Sequence, residues 1–422
     1  MVQIEVRPHL PQQSSYGPIG ILDETDRLQL AVTWGPVGVE AFLAQLFPPA
    51  VSCFYDAMDV PQARRECLDF AAMLEQFGVH VICLRDELAM LLSVHNHPRR
   101  LNLIDLLCGK GRSIAQRFDR SLPSNFACVV ADSVALDMHR YGEESALALN
   151  YHLFLAAGIP LGNLLYTRDP MNVLLGMRFM GVMPMPIRRQ EVELSEQVFQ
   201  QGLQLAPPVG MLWGETFEGG DGYTHNGWVH VGVGARTTIG ATRHIYQTFR
   251  PELERHGLQF AVVQDLDVSE RSNGDRMRYM HLDTFSSPVG KQQILVFEAE
   301  AERRTVSRLH TNRQGTTVIE PTHRTFLGHL EGLGEEIIGV PDDEQQEFSC
   351  NLLALDDQTL FVPLSRNATT NNRLEAAGKT IVPVNLEACT LGYGAAHCMT
   401  GQLRRQQSEV GGLRCQSSSR NT

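Results

Sequence analysis

The chain has 422 residues, 43% hydrophobic and 20% charged, with a formal net charge of −12 and a pI near 5.7. This acidity argues against nucleic acid or an anionic membrane as a main partner, and no apolar run is long enough to span a bilayer. The nine cysteines are dispersed without a CxxC pair, as expected of reduced thiols in the cytoplasm rather than a disulfide framework.

The opening segment, MVQIEVRPHL, lacks the basic region and apolar run of a secretion signal. In ARRECLDFAAMLEQFGVHVICL, residues Ala63, Cys67, Phe70, Ala71, Leu74 and Phe77 fall on one helical face. Gly78 is placed to end that helix in the left-handed conformation, and VHVICL follows as a strand. Residues 85–160 then read as helices with no strong strand between them. Within them HNHP, at 95–98, stands without partners at ligand spacing and reads as a solvated loop. GKGRS lacks phosphate-loop spacing.

Further along, the helix–glycine–strand unit recurs around Gly202, Gly257, Gly334 and Gly378. Strands are expected at WVHVGVG and TLFVPLS, ahead of two of these units. Each unit is too small to bury its apolar faces alone, and repetition about a common centre would solve that. A generic α/β protein is the plainer alternative. The expected division is a domain of repeated units begun by residues 1–84 and resumed over 161–403, a helical insertion at 85–160, and a polar tail at 404–422 that frays after its first few residues.

Four polar motifs punctuate this frame. LLYTRDP ends its apolar run at Asp169, and FEGGD sets Glu218 and Asp221 around two glycines before a strand. MHLDT alternates His281 and Asp283, which puts both on one face of an extended chain. GYGAAHCMT presents Cys398 behind small residues that let a substrate approach. Singly each has a plain structural explanation: a turn, a half-exposed strand, a buried thiol. Together they form a chemical kit. Clustered carboxylates need a cation, and a planar guanidinium suits carboxylates on either side. Its deactivated carbon calls for a thiolate nucleophile, and its departing amine for a histidine proton donor.

LYTRDP, FEGGD, VGVGARTT, MHLDT and HCMT, in this order, resemble the arginine deiminases of the guanidine-modifying (amidinotransferase) superfamily, over about residues 28–403. The resemblance implies an α/β fold, a five-bladed pseudo-fivefold propeller (a pentein) with a helical insertion. It assigns Cys398 as nucleophile and His281 as general acid and base. Asp169 and Asp283 would grip the guanidinium, with Glu218 near the reacting nitrogens and Asp221 as second carboxylate of its turn. Asn163, Arg188 and Arg236 would hold the amino-acid end of the substrate.

The family's loop, of the form GRGGPRCMSMP, is GYGAAHCMTGQ here, so Tyr393 and His397 stand where arginines are expected. CFYDAMD replaces LFDD, and Ala235 replaces the glutamate before Arg236. The expected activity is metal-free and cofactor-free hydrolysis of arginine or an arginine-like guanidine to citrulline or another ureido product and ammonia. The alternatives are an amidinotransferase, a dihydrolase giving ornithine, and a guanidine-binding relative without catalysis. The implied partner is the small guanidino substrate; whether the chain forms a homo-oligomer stays open.

Overall fold

The computed structural model describes residues 17–92, 99–156, 161–266, 278–364 and 367–406. The HNHP segment and the tail beyond Gln406 lie outside them.

One arrangement recurs: an antiparallel hairpin, then a helix, then a strand that returns parallel to the hairpin's second strand. Trp228–Val233 pairs in this way with Gln259–Gln264, Gln293–Val296 with Glu336–Gly339, and Thr359–Pro363 with Thr380–Val384. In the unit that joins the chain's two ends, Gly401–Gln406 lies antiparallel to Arg27–Thr33, which pairs in parallel with His80–Cys83. Between Gln293–Val296 and Glu336–Gly339 stands a further hairpin, Thr305–Thr311 with Thr317–Thr325, which joins the sheet of Gln259–Gln264. Hairpin Met171–Leu174 with Met177–Met180 keeps only an isolated parallel bridge from Phe179 to Val209. The strand expected after Gly202 is therefore reduced to that bridge. Pro207 and Pro208 explain why, since neither has an N–H to donate to a ladder.

Local chemistry sets the helix ends. Helix Val60–Gln76 starts where Asp59 accepts from the Gln62 N–H, and it buries Ala63, Cys67, Phe70 and Leu74. Helix Ile239–His256 is capped likewise by Thr238. Gly78, Gly257, Gly334 and Gly378 all have φ between 66° and 83°, the conformation that glycine adopts without a Cβ penalty. Gly202 departs from the expectation: it closes a π-helical turn, and the positive φ falls on Gln204. Its smallness serves packing, because a Cβ there would meet the Leu91 side chain at 3.2 Å.

Helices Leu84–Leu91, Arg100–Arg117, Phe126–Tyr141 and Glu143–Tyr151 follow the first unit. They share one apolar core with it: Leu103, Leu107, Val130 and Leu149 are continuous with Leu30, Val32, Phe70 and Leu74. A buried ionic cluster adds to the join. Arg85 pairs with Glu40 and, at 2.7 Å, with Asp137, which also takes Arg64 and the Asn150 amide. Among the described residues no helix is long and apolar enough to cross a membrane.

Candidate active site

The turns ahead of strands Met171–Leu174, Gly222–His225, Ser286–Gly290, Leu353–Ala354 and Gly401–Gln406 bring the polar motifs together. Asp169 lies two residues before strand Met171–Leu174, and Glu218 to Asp221 run up to strand Gly222–His225. His281 and Asp283 precede Ser286–Gly290, Asn351 precedes Leu353–Ala354, and Cys398 precedes Gly401–Gln406. Asp169 thus sits at a turn before a strand, not at the end of one. His281 is in extended chain, at φ −127° and ψ 163°, but Asp283 lies in the 3-10 turn Leu282–Thr284, so the expected alternation fails at the aspartate. The two side chains nevertheless converge, with His281 Nδ1 4.0 Å from Asp283 Oδ1.

Cys398 is almost fully buried and held by Asn351. The amide oxygen of Asn351 accepts from the N–H groups of Ala395 at 2.7 Å and Cys398 at 3.1 Å. Its amide nitrogen donates to Cys398 Sγ at 3.1 Å and to the Asp283 carbonyl at 3.1 Å. Sγ itself lies 3.6 Å from Asp283 Oδ2. The small residues of the loop have a packing reason as well, because a Cβ on Gly394 would collide with Tyr166 and Cys398. Burial and the Asp283 and Asp169 carboxylates push the thiol well above its ordinary pKa, against the Asn351 hydrogen bond. Without a cation beside it the sulfur stays protonated.

On the opposite wall, His281 Nε2 hydrogen-bonds Glu218 Oε2 at 2.8 Å, and Nδ1 is 3.6 Å from Asp169 Oδ1. Burial disfavours the imidazolium, but the carboxylates of Asp169, Glu218 and Asp221 outweigh it and raise its pKa to about 9. His281 Nδ1 and Asp283 Oδ1 are both buried with no hydrogen-bond partner. A buried donor and a buried acceptor therefore stand 4.0 Å apart without satisfying each other. Gly220 permits this approach: a Cβ there would stand 2.7 Å from His281 Nδ1 and 2.9 Å from Asp283 Oδ1.

The two arginines lie deeper than their expected role requires. Arg188 donates from Nη1 to Asp169 Oδ2 at 2.7 Å and from Nε to Glu191 Oε2 at 3.0 Å. Arg236 Nη1 reaches Glu218 Oε1 at 3.2 Å. These guanidinium groups supply the cationic charge that the carboxylate cluster needs. Against the effect of burial, Arg236 foremost and then His281 and Arg188 hold the Glu218 carboxyl below its usual range. Asp169, Glu218 and His281 also offer donor atoms within 4.8 Å of one another, a spacing that a cation could use. Glu191, absent from the sequence reading, is pushed up to about 7 by burial despite Arg188.

The other expected residues divide. Asn163 gives its N–H to Glu191 at 2.9 Å and its side-chain amide to the Ser52 carbonyl at 2.8 Å, so it braces the site. Asp221 accepts from Thr237 Oγ1 at 2.6 Å and from the Leu282 N–H at 3.2 Å, which ties the EGGD turn to the MHLD turn. Tyr393, half-buried at φ 68°, makes edge contacts with Tyr55 and Phe348. Arg278 lies over the Tyr55 ring. Asn351 escaped the sequence reading. Its one signal was position, two residues before a strand, as for Asp169.

The family model for arginine deiminase matches residues 53–405. An arginine deiminase of Metamycoplasma arthritidis is 25% identical over 386 residues, covering 84% of this chain and 88% of its own length. One from Mycobacterium marinum is 26% identical over 369 residues, covering 82% and 88%. Among solved structures, DDAH from Pseudomonas aeruginosa complexed with citrulline aligns with a TM-score of 0.51 at 13% identity, covering 89% of this chain and 99% of that one. The N-terminal domain of ArgZ, a cyanobacterial arginine dihydrolase, aligns at 0.53 with 12% identity, covering 89% and 97%. At such identities these structures share the fold, a mixed α/β architecture. The chain belongs to the arginine deiminase family, hydrolases that act on the carbon–nitrogen bonds of amidines.

Proposed function

We propose that this chain hydrolyses the guanidino group of arginine, or of an arginine-like substrate, through a covalent intermediate on Cys398. The observation that carries the reading is the convergence near Cys398 of a buried, unpartnered donor on His281 and a buried, unpartnered acceptor on Asp283, 4.0 Å apart, with Asp169 close by. A guanidinium bound between Asp169 and Asp283 satisfies both carboxylates and brings its carbon to the sulfur. Its charge favours the thiolate, so the substrate assists its own attack.

Sulfur then adds to the guanidino carbon. The C–N bond breaks as His281 gives a proton to the departing ammonia, leaving an S-alkylthiouronium. Water, deprotonated by His281, adds to the same carbon, the C–S bond breaks, and a ureido product such as citrulline leaves. Glu218, hydrogen-bonded to His281, keeps the ring oriented through both proton transfers. For the substrate to reach Asp169, Arg188 must release that carboxylate. It is then free to turn toward the carboxylate at the substrate's other end, alongside Arg236. In architectural terms, the five repeated units support a pseudo-fivefold propeller with the site at its centre. The helical segment 85–160 is an insertion between residues 1–84 and 161–403; of the expected tail, residues 404–406 belong instead to strand Gly401–Gln406, where they pair with Arg27–Thr33.

The test is to incubate the protein with arginine, agmatine and other guanidines, assay ammonia and identify products by mass spectrometry. Citrulline and ammonia are expected from arginine, unchanged by EDTA, with no turnover by Cys398→Ala. Ornithine would establish a dihydrolase, and amidino transfer to an added amine a transferase. Activity in Cys398→Ala, or loss with EDTA that manganese restores, overturns the mechanism.

A further inference from the structure

His397 precedes the nucleophile at a position where the family resemblance places an arginine, and its surroundings are built for a histidine. Nδ1 is 2.8 Å from Asp283 Oδ2, the same oxygen that lies 3.6 Å from Cys398 Sγ. Nε2 faces two different groups. Gln402 Nε2 stands 3.3 Å away, oriented by Arg405, whose Nε donates to Gln402 Oε1 at 2.7 Å. Glu24 Oε2 is 3.7 Å away on the other side. A neutral ring can accept from the Gln402 amide, and a protonated ring has the Glu24 carboxylate. Both protonation states therefore have a partner while Nδ1–H stays on Asp283.

We infer that His397 is a positioning residue for the reaction, holding Asp283 Oδ2 beside Cys398 and setting, by the proton on Nε2, the charge of the Asp283–His397 pair. This rests on Cys398 being the nucleophile. With Nε2 protonated the pair is neutral. With Nε2 bare the pair carries one negative charge next to the sulfur and opposes the thiolate. The groups that decide the proton come from several elements. Burial and Arg168 disfavour it, whereas the Asp283 and Glu24 carboxylates favour it and outweigh them. Arg405, 3.6 Å from Glu24, competes for that carboxylate. An arginine here would keep its charge at every accessible pH. The histidine makes the charge switchable, and it fails on the alkaline side.

The experiment measures how fast iodoacetamide alkylates Cys398 as a function of pH in the substrate-free protein. The Cys398 peptide is followed by mass spectrometry, and exposed Cys128 serves as internal control. His397→Gln is expected to raise the pH midpoint of Cys398 reactivity by about one unit, so that the rate near neutrality falls about tenfold. His397→Arg is expected to restore the native rate and to remove the alkaline decline of kcat/KM. Native-like alkylation of His397→Gln from pH 6 to 10 overturns the inference. So does His397→Arg behaving like His397→Gln, which would leave a shape requirement and no charge. Alkylation is read without substrate, so a wrong substrate does not disturb it. A wrong nucleophile shows up separately, as turnover by Cys398→Ala.

Discussion

Asn351 holds Cys398 at both ends, its amide oxygen on the cysteine N–H at 3.1 Å and its amide nitrogen on Sγ at 3.1 Å. Replacing it by alanine strands the buried N–H groups of Ala395 and Cys398, at about 1–3 kcal/mol for each unsatisfied group. Asn351→Ala is expected to lose roughly 2–4 kcal/mol in urea denaturation, and kcat/KM is expected to fall at least a hundredfold. Asn351→Asp keeps the acceptor but turns a carboxylate toward the sulfur. It should lose less stability than the alanine variant and yet show still slower alkylation of Cys398. Equal alkylation in the two variants would mean that the side chain serves only the loop.

Arg188 spans Asp169 and Glu191 in a fully buried setting. Removing one partner of such a cluster leaves uncompensated carboxylates, which typically costs about 3–5 kcal/mol. Arg188→Met should therefore unfold at markedly lower urea. The deficit should shrink as the pH falls and the stranded carboxyl groups take up protons. A deficit independent of pH would point to lost packing instead.

His225 is buried between Asp23 and Glu335, 3.5 and 3.3 Å from their carboxylates. Burial works against its charge, but these two acids carry its pKa up to about 9. In the unfolded chain it titrates near 6.5. The folded state thus binds this proton more tightly. Its stabilisation is full below pH 6.5 and is lost as the pH rises through 9, at most about 3 kcal/mol. The native protein should lose urea resistance between pH 6.5 and 9.5, and His225→Gln should flatten that decline. An equal slope in the variant would refute the assignment.

Tyr393 replaces an arginine of the family pattern, and Arg278 stands over the adjacent Tyr55 ring at 5.4 Å. If this cation serves the carboxylate end of the substrate, Arg278→Ala lowers kcat/KM for arginine about tenfold or more, the scale of one charge-assisted hydrogen bond. Agmatine, which has no carboxylate, should be spared. Tyr393→Arg in the Arg278→Ala background should recover the arginine activity. An equal loss for both substrates would assign Arg278 to the fold alone.

Several features of the molecule were written locally. Gly78, Gly257, Gly334 and Gly378 end their segments in the left-handed conformation because that choice depends on a few neighbouring residues. The acids, the histidine and the cysteine were legible as chemical types, since a guanidinium demands them wherever they sit. Folding decided which of them meet. Gly202 and MHLDT were misread because local pattern does not reveal a π-helical closure or a 3-10 turn imposed by packing. Asn351 was invisible because an isolated asparagine announces nothing. Its partner Cys398 lies 47 residues away, ahead of a strand in another sheet, and only tertiary packing brings the two together. Arg188, expected at the substrate's far end, lies on Asp169. A sequence supplies its charge, but only the tertiary structure shows that buried carboxylates without another cation take the nearest guanidinium of the protein itself.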